Sequence, residues 1–184
     1  MERFIIEPTT LPGLLCVQRP RLADARGFFS RLFCASELAD VGWQGPVAQI
    51  NHSCTRQRGT VRGLHFQHAP HAEDKLVNCL RGEIFDVAVD LRHGSPTLLR
   101  WHGERLSASN GRALLIPRGF AHGFQTLSDD CEMLYLHSSP YVQESAGAVH
   151  VREPRLGIAW PLPIAELSVR DAAHPYLAAD FSGI

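Results

Sequence analysis

The sequence predicts a mainly β fold, a sandwich or barrel, in a single domain over residues 1–184 with short helices at its periphery. Three observations carry this expectation. Turn residues punctuate the chain at short intervals, from Pro12-Gly13 and Gly45-Pro46 through Gly94-Ser95-Pro96 and Pro117-Arg118-Gly119 to Pro154 and Pro161. The runs between them are short and rich in β-forming residues, which is the layout of an all-β domain. Helical periodicity is scarce.

The individual elements follow from the same pattern. In Ile84–Asp90, Phe85, Val87 and Val89 alternate with Asp86, Ala88 and Asp90, the period of a strand with one face buried. Ala113–Ile116 is a second such run. Ser36-Glu37-Leu38-Ala39-Asp40 predicts a short helix with Ser36 as its N-cap, and the tail near Ala165–Ala173 predicts one or two further helical turns.

Composition narrows the function classes. The chain has 184 residues, 45% of them hydrophobic, and a formal net charge of −1, which gives no basic excess for nucleic acid. No apolar run approaches the ~20 residues of a membrane helix, and Met1-Glu2-Arg3-Phe4 lacks the layout of a secretory leader. A cytoplasmic protein is the expectation. Five cysteines (Cys16, Cys34, Cys54, Cys79 and Cys131) are scattered without a CxxC pair, which argues against a disulfide scaffold or a zinc knuckle. Of the eighteen Lys and Arg residues, Lys75 is the sole lysine. Lysine offers a compact, tunable point charge that guanidinium does not.

Two segments resemble the paired motifs of the cupin jelly roll. Gly111, Pro117, Gly119 and His122 fall at the spacing of the second motif; Gly59, His65 and the closing Gly82 give the skeleton of the first. In metal-binding cupins the position two after the first His is another His, and a Glu precedes the closing Gly. Here those positions hold Gln67 and Lys75. An ammonium repels a divalent cation and offers it no lone pair, so a reaction without metal is expected. His68 and His71 are read as loop residues, and His52, His93, His102, His137, His150 and His174 as surface residues.

Over nearly its whole length the chain resembles the dTDP-4-dehydrorhamnose 3,5-epimerase family. The resemblance is carried in order by Asp24–Phe29, Gln49–Ser53, Val61–Gln67, Lys75–Val77, Phe85–Arg92, Gly94–Thr97, Leu106–Ala108, Ile116–Phe124 and Leu167–Asp171. It implies a cupin jelly roll, no cofactor, a sugar-nucleotide substrate and a homodimer in which the Arg26–Phe29 loop reaches the partner's site. The implied activity is epimerisation at C3 and C5, turning dTDP-4-dehydro-6-deoxy-D-glucose into dTDP-4-dehydro-L-rhamnose.

Such chemistry needs a base on one face of the sugar, a cation or donor at the enolate oxygen and an acid on the other face. The resemblance assigns His65 as base, Asp171 as its orienting carboxylate, Lys75 as counter-charge to the enolate and Tyr135 as acid. For binding it implies Arg26 and Arg62 at the diphosphate or sugar, Gln49 and Asn51 as polar contacts, and His122 beside the reacting sugar. It further implies Arg170 in place of a family Lys, Tyr141 stacked on the base, and Phe29 as added apolar surface.

The chain departs from the family pattern at four places. Arg31 and Ala146 stand where the family has Glu, Asn78 where it has Arg, and Val151-Arg152-Glu153-Pro154 where it has Trp-Asn-Asp-Pro. These changes are read as lying towards the nucleotide end and the rim of the site. Three rival readings stay open. They are epimerisation at C3 or C5 alone on another dTDP-, CDP- or GDP-linked 4-keto sugar, a non-catalytic sugar-nucleotide-binding cupin, and a metal-dependent cupin enzyme.

Overall fold

The computed structural model describes residues 3–184. Two antiparallel sheets face each other as a jelly roll. One runs, in spatial order, β1 (Ile5–Pro8), β2 (Leu15–Gln18), β10 (Arg112–Ile116), β7 (Lys75–Arg81), β12 (Cys131–His137) and β5 (Gln49–Thr55). The other runs β13 (Ala146–Ala148), β6 (Val61–Gln67), β11 (Phe120–Thr126), β8 (Glu83–Asp90) and β9 (Trp101–Ser107). A separate hairpin pairs β3 (Leu22–Asp24) with β4 (Gly27–Phe29). Among the described residues helix is confined to α1 (Ala35–Ala39), α2 (Val169–Ala172) and one 3-10 turn at Gln143–Ser145. Among the described residues no helix is long and apolar enough to cross a membrane.

Strand alternation distributes the side chains into three layers. Val77, Cys79, Leu114, Ile116, Cys131 and Met133 of the first sheet meet Ile84, Ala88, Phe120 and Phe124 of the second in a core between the sheets. The outer face of the five-stranded sheet carries Val61, Leu64, Val87, Val89 and Ala121, and the C-terminal segment covers it with Trp160, Ile164, Leu167, Leu177 and Phe181. On the outer face of the other sheet, Val17, Leu76, Leu115 and Leu136 pack against Leu38 and Trp43 from the α1 region. Each fully buried Leu in these layers contributes about 1.5–3 kcal/mol relative to exposure.

Both faces of β8 are therefore covered, not one. Its Asp86 and Asp90 are fully buried between the sheets because the C-terminal segment occupies the face that alternation alone leaves to solvent or core equally. Asp90 accepts hydrogen bonds from Arg92, Ser95 and Thr97. Burial opposes its ionisation, but these donors bring the carboxyl down to about 2.

The two short helices differ from expectation in one detail. α1 begins after Cys34, whose side chain makes no capping bond, so Ser36 lies inside the helix and does not cap it. α2 falls within the expected tail segment and is capped by Ser168, whose hydroxyl accepts from the Asp171 N–H at 3.0 Å.

Candidate active site

Alternation along β6 is interrupted in a way that loads one face with polar groups. Gly63 has φ +137°, and a Cβ there would lie 2.6 Å from the Gly123 Cα. Only glycine allows that backbone approach. The register between β6 and β11 shifts at the same place, and Arg62, His65 and Gln67 all line one cavity between the sheets, of about 420 Å³. β11 adds His122, β7 adds Lys75, β12 adds Tyr135 and His137, and α2 adds Arg170 and Asp171.

Two imidazole–carboxylate pairs stand at the five-stranded wall, the first completed by Asp171 from α2. His65 Nε2 donates to Asp171 Oδ1 at 2.8 Å. With that nitrogen protonated, Nδ1 keeps its lone pair, as a general base requires. The His65 side chain is 40% exposed while that of Asp171 is 6% exposed, so the imidazole meets the cavity and the carboxylate is sealed behind it. Burial opposes ionisation of Asp171. The His65 hydrogen bond, the two imidazoles near it and Ser168 nevertheless hold its carboxyl below the usual range. In the second pair, His122 Nε2 donates to Asp86 Oδ1 at 2.7 Å.

Across the cavity the six-stranded wall presents a phenol and an ammonium. Tyr135 shares a 3.0 Å hydrogen bond with the Ser53 hydroxyl. Burial raises its phenol far above the usual value, so the group is protonated at neutral pH and has a proton to give. The Lys75 ammonium lies 2.9 Å from Glu73 Oε1 and 3.4 Å from the His65 carbonyl oxygen, to which it donates. His137 faces the same space. Burial first, and then the Lys75 charge, lowers its pKa to about 4, so it is neutral at neutral pH.

At the former metal-ligand positions, Gln67 serves as a clamp and Lys75 as an ion-pair partner. The Gln67 amide donates to Glu73, to the His71 carbonyl and to the Pro140 carbonyl, and its oxygen accepts from the Val142 N–H. Donor atoms of His65, Asp171 and His174 lie within 4.8 Å of one another. Both imidazole Nε2 atoms there point at a single carboxylate oxygen, the geometry of two hydrogen bonds.

Of the residues expected at the site, His65, Asp171, Lys75, Tyr135, Asn51, Arg62, His122, Tyr141 and Arg170 line this one cavity. Arg62 reaches across to β5, donating to the Thr55 hydroxyl at 2.9 Å. Gln49 stands just outside, its Oε1 accepting from the Tyr141 N–H. Arg26 and Phe29 do not line the cavity of their own chain. Both sit on the β3–β4 hairpin, where Arg26 pairs with Asp24 and Phe29 is 59% exposed.

Several histidines expected at the surface are elsewhere. His137 is in the cavity because it shares the Tyr135 face of β12; His174 bonds to Asp171; His150 is buried and stacked on Tyr176; His102 is half-buried beside Glu104. His52 and His93 are exposed. Glu73, Asp86 and Ser53 were not singled out by sequence. Glu73 could have been found from its place two residues before Lys75, on the same side of an extended chain. Of the four departures only Ala146 lines the cavity. Arg31 pairs with Glu37, Glu153 accepts from the Leu177 N–H, and Asn78 is fully buried on the outer face of its sheet without a side-chain partner.

The family model for dTDP-4-dehydrorhamnose 3,5-epimerase matches residues 8–179. The chain belongs to the dTDP-4-dehydrorhamnose 3,5-epimerase family. A member from Sinorhizobium fredii is 46% identical over 182 residues, covering 96% of this chain and 91% of its own. The crystal structure of a Legionella pneumophila 3,5-epimerase in complex with dTDP-4-keto-L-rhamnose superposes with a TM-score of 0.90 at 39% identity, covering 95% and 93% of the two chains. A dTDP-4-dehydrorhamnose 3-epimerase from Streptomyces niveus is 38% identical, covering 90% of this chain and 80% of its own. As a member of the 3,5-epimerase family the chain is an isomerase, and the jelly roll expected from its two cupin motifs is the fold it adopts.

Proposed function

We propose that the chain inverts C3 and C5 of dTDP-4-dehydro-6-deoxy-D-glucose, giving dTDP-4-dehydro-L-rhamnose, and that it does so in the cytoplasm as a homodimer. One observation carries this reading: His65, backed by Asp171 from α2, stands on one sheet and Tyr135 on the other, with the same cavity between them. Inversion needs a proton removed from one face of a carbon and another delivered to the opposite face. His65 Nδ1 takes the proton next to the C4 ketone, the charge passes to the ketone oxygen, and the Lys75 ammonium balances it there. Tyr135 then protonates the carbon from the far wall. Asp171 stabilises the imidazolium that forms on His65.

The nucleotide end of the substrate lies towards the cavity mouth, where Tyr141 is half-exposed and Arg62 and Arg170 offer charge to phosphate. Arg26 and Phe29, outside the cavity of their own chain, act at the partner's site in this reading. The test is incubation with dTDP-4-dehydro-6-deoxy-D-glucose in deuterated water, reading deuterium at each carbon. Label at both C3 and C5 with inverted product is expected. The second reading, inversion at one carbon only, is favoured by Ala146, which leaves the cavity wall without the family's carboxylate. Label confined to one carbon would establish it in place of the first.

A further inference from the structure

Asp171 serves two imidazoles. Its Oδ1 accepts from His65 Nε2 at 2.8 Å and from His174 Nε2 at 3.0 Å. The two rings meet edge to face, 5.2 Å apart at 88°, and the His174 side chain is only 9% exposed. His174 follows α2 by two residues, and its backbone N–H is directed back to the Asp171 carbonyl at 3.4 Å. The ring is therefore held over the carboxylate by the same turn that presents Asp171. A carboxylate tied only to His65 would be free to turn about its own bond; the second donor fixes which oxygen His65 meets.

We propose that His174 is a positioning residue of the proton-transfer machinery, donating to the oxygen that His65 uses so as to fix Asp171 and set the basicity of His65. The proposal rests on the reading of His65 as the base. Its sign follows from charge sharing. Part of the negative charge on Oδ1 is engaged by the His174 N–H, so less of it supports the imidazolium of His65. Without His174, protonated His65 is better stabilised and its basicity rises, while the carboxylate loses one of its two imidazole donors.

The charged and titratable groups around the pair act from several elements. Asp171 and Arg170 come from α2, His122 from β11, Arg62 from the strand of His65 itself, and Lys75 from β7. Burial, followed by the neighbouring His65, lowers the pKa of His174, which keeps it a neutral donor while His65 cycles.

The experiment compares wild type with His174→Ala, His174→Gln and His65→Asn, measuring proton exchange into dTDP-4-dehydro-6-deoxy-D-glucose across pH. Titration with dTDP serves as the check on folding. For His174→Ala, kcat should fall about tenfold with KM within about twofold. The acid limb of kcat/KM should move up by roughly half a pH unit. Gln places an amide N–H near the lost donor and should recover most of both changes. His65→Asn should abolish exchange. An unchanged acid limb in His174→Ala, or a loss of rate that Gln does not recover, overturns the positioning role while His65 remains the base. Exchange persisting in His65→Asn overturns the base assignment and the proposal with it.

Discussion

Replacing Lys75 by Met removes the ammonium while keeping the length of the side chain, and the structure separates the two costs. Lys75 and Glu73 are buried together, with side chains 9% and 5% exposed and 2.9 Å between charges. Removing one partner strands the Glu73 carboxylate with the Gln67 amide, and breaking a buried pair in this way costs about 3–5 kcal/mol. In a chain of this size that lowers the melting midpoint on the order of 10 °C. In the proposed mechanism, losing a preorganised donor at the enolate oxygen is a separate loss, about 10²–10³ in turnover. Adding Glu73→Gln removes the stranded charge. The double variant should therefore melt close to wild type and yet exchange substrate protons as slowly as Lys75→Met. Thermal unfolding at fixed protein concentration and deuterium incorporation at saturating substrate give the two numbers. Recovery of turnover together with stability in the double variant would refute the catalytic role and leave Lys75 a partner for Glu73 alone.

Three further expectations follow from the geometry. Tyr135→Phe should still wash deuterium into the substrate with configuration largely retained, because the proposed mechanism makes removal at His65 and delivery from the opposite wall separate events; equal loss of exchange and inversion would make Tyr135 a substrate-positioning group. Exhaustive chelation should leave exchange unaltered, since an amide and an ammonium hold two of the ligand positions a metal cupin uses; a rate restored only by added metal would contradict this. Asp90→Asn should cost about 2 kcal/mol of stability at pH 7, from a carboxyl held at about 2 against an ordinary 3.8. A depressed pKa stabilises the fold above the unfolded value and ceases to do so as pH falls through the folded one, so wild type and variant should converge between about pH 4 and 2 in acid titrations.

The parts of this molecule legible in its sequence are those governed by local rules. Turn residues marked the strand boundaries, and motif spacing placed His65 and His122, which are paired across β6 and β11. What alternation could not settle is which polar positions are covered from outside. Asp86 reads as the polar side of a half-buried strand until the C-terminal segment is laid over the other face. His137 reads as a surface residue until β12 turns it inward, and Glu73 draws no reading until the segment leading into β7 sets it beside Lys75. The spacing of His174 three residues after Asp171 was visible, but its meaning depended on a helical turn at that place. Ser36 fitted the composition of a cap, while the helix starts one residue before it.

His65 and its carboxylate partner Asp171 are 106 residues apart in the chain, and the last strand of the jelly roll ends at Ala148. Every strand of the barrel thus precedes the segment that delivers Asp171 to His65. A chain ending before residue 171 would contain every one of these strands and Tyr135 with them, but not the carboxylate that His65 meets. The C-terminal segment is at once the cover of the five-stranded sheet and the part that brings a carboxylate to an imidazole of the cavity wall.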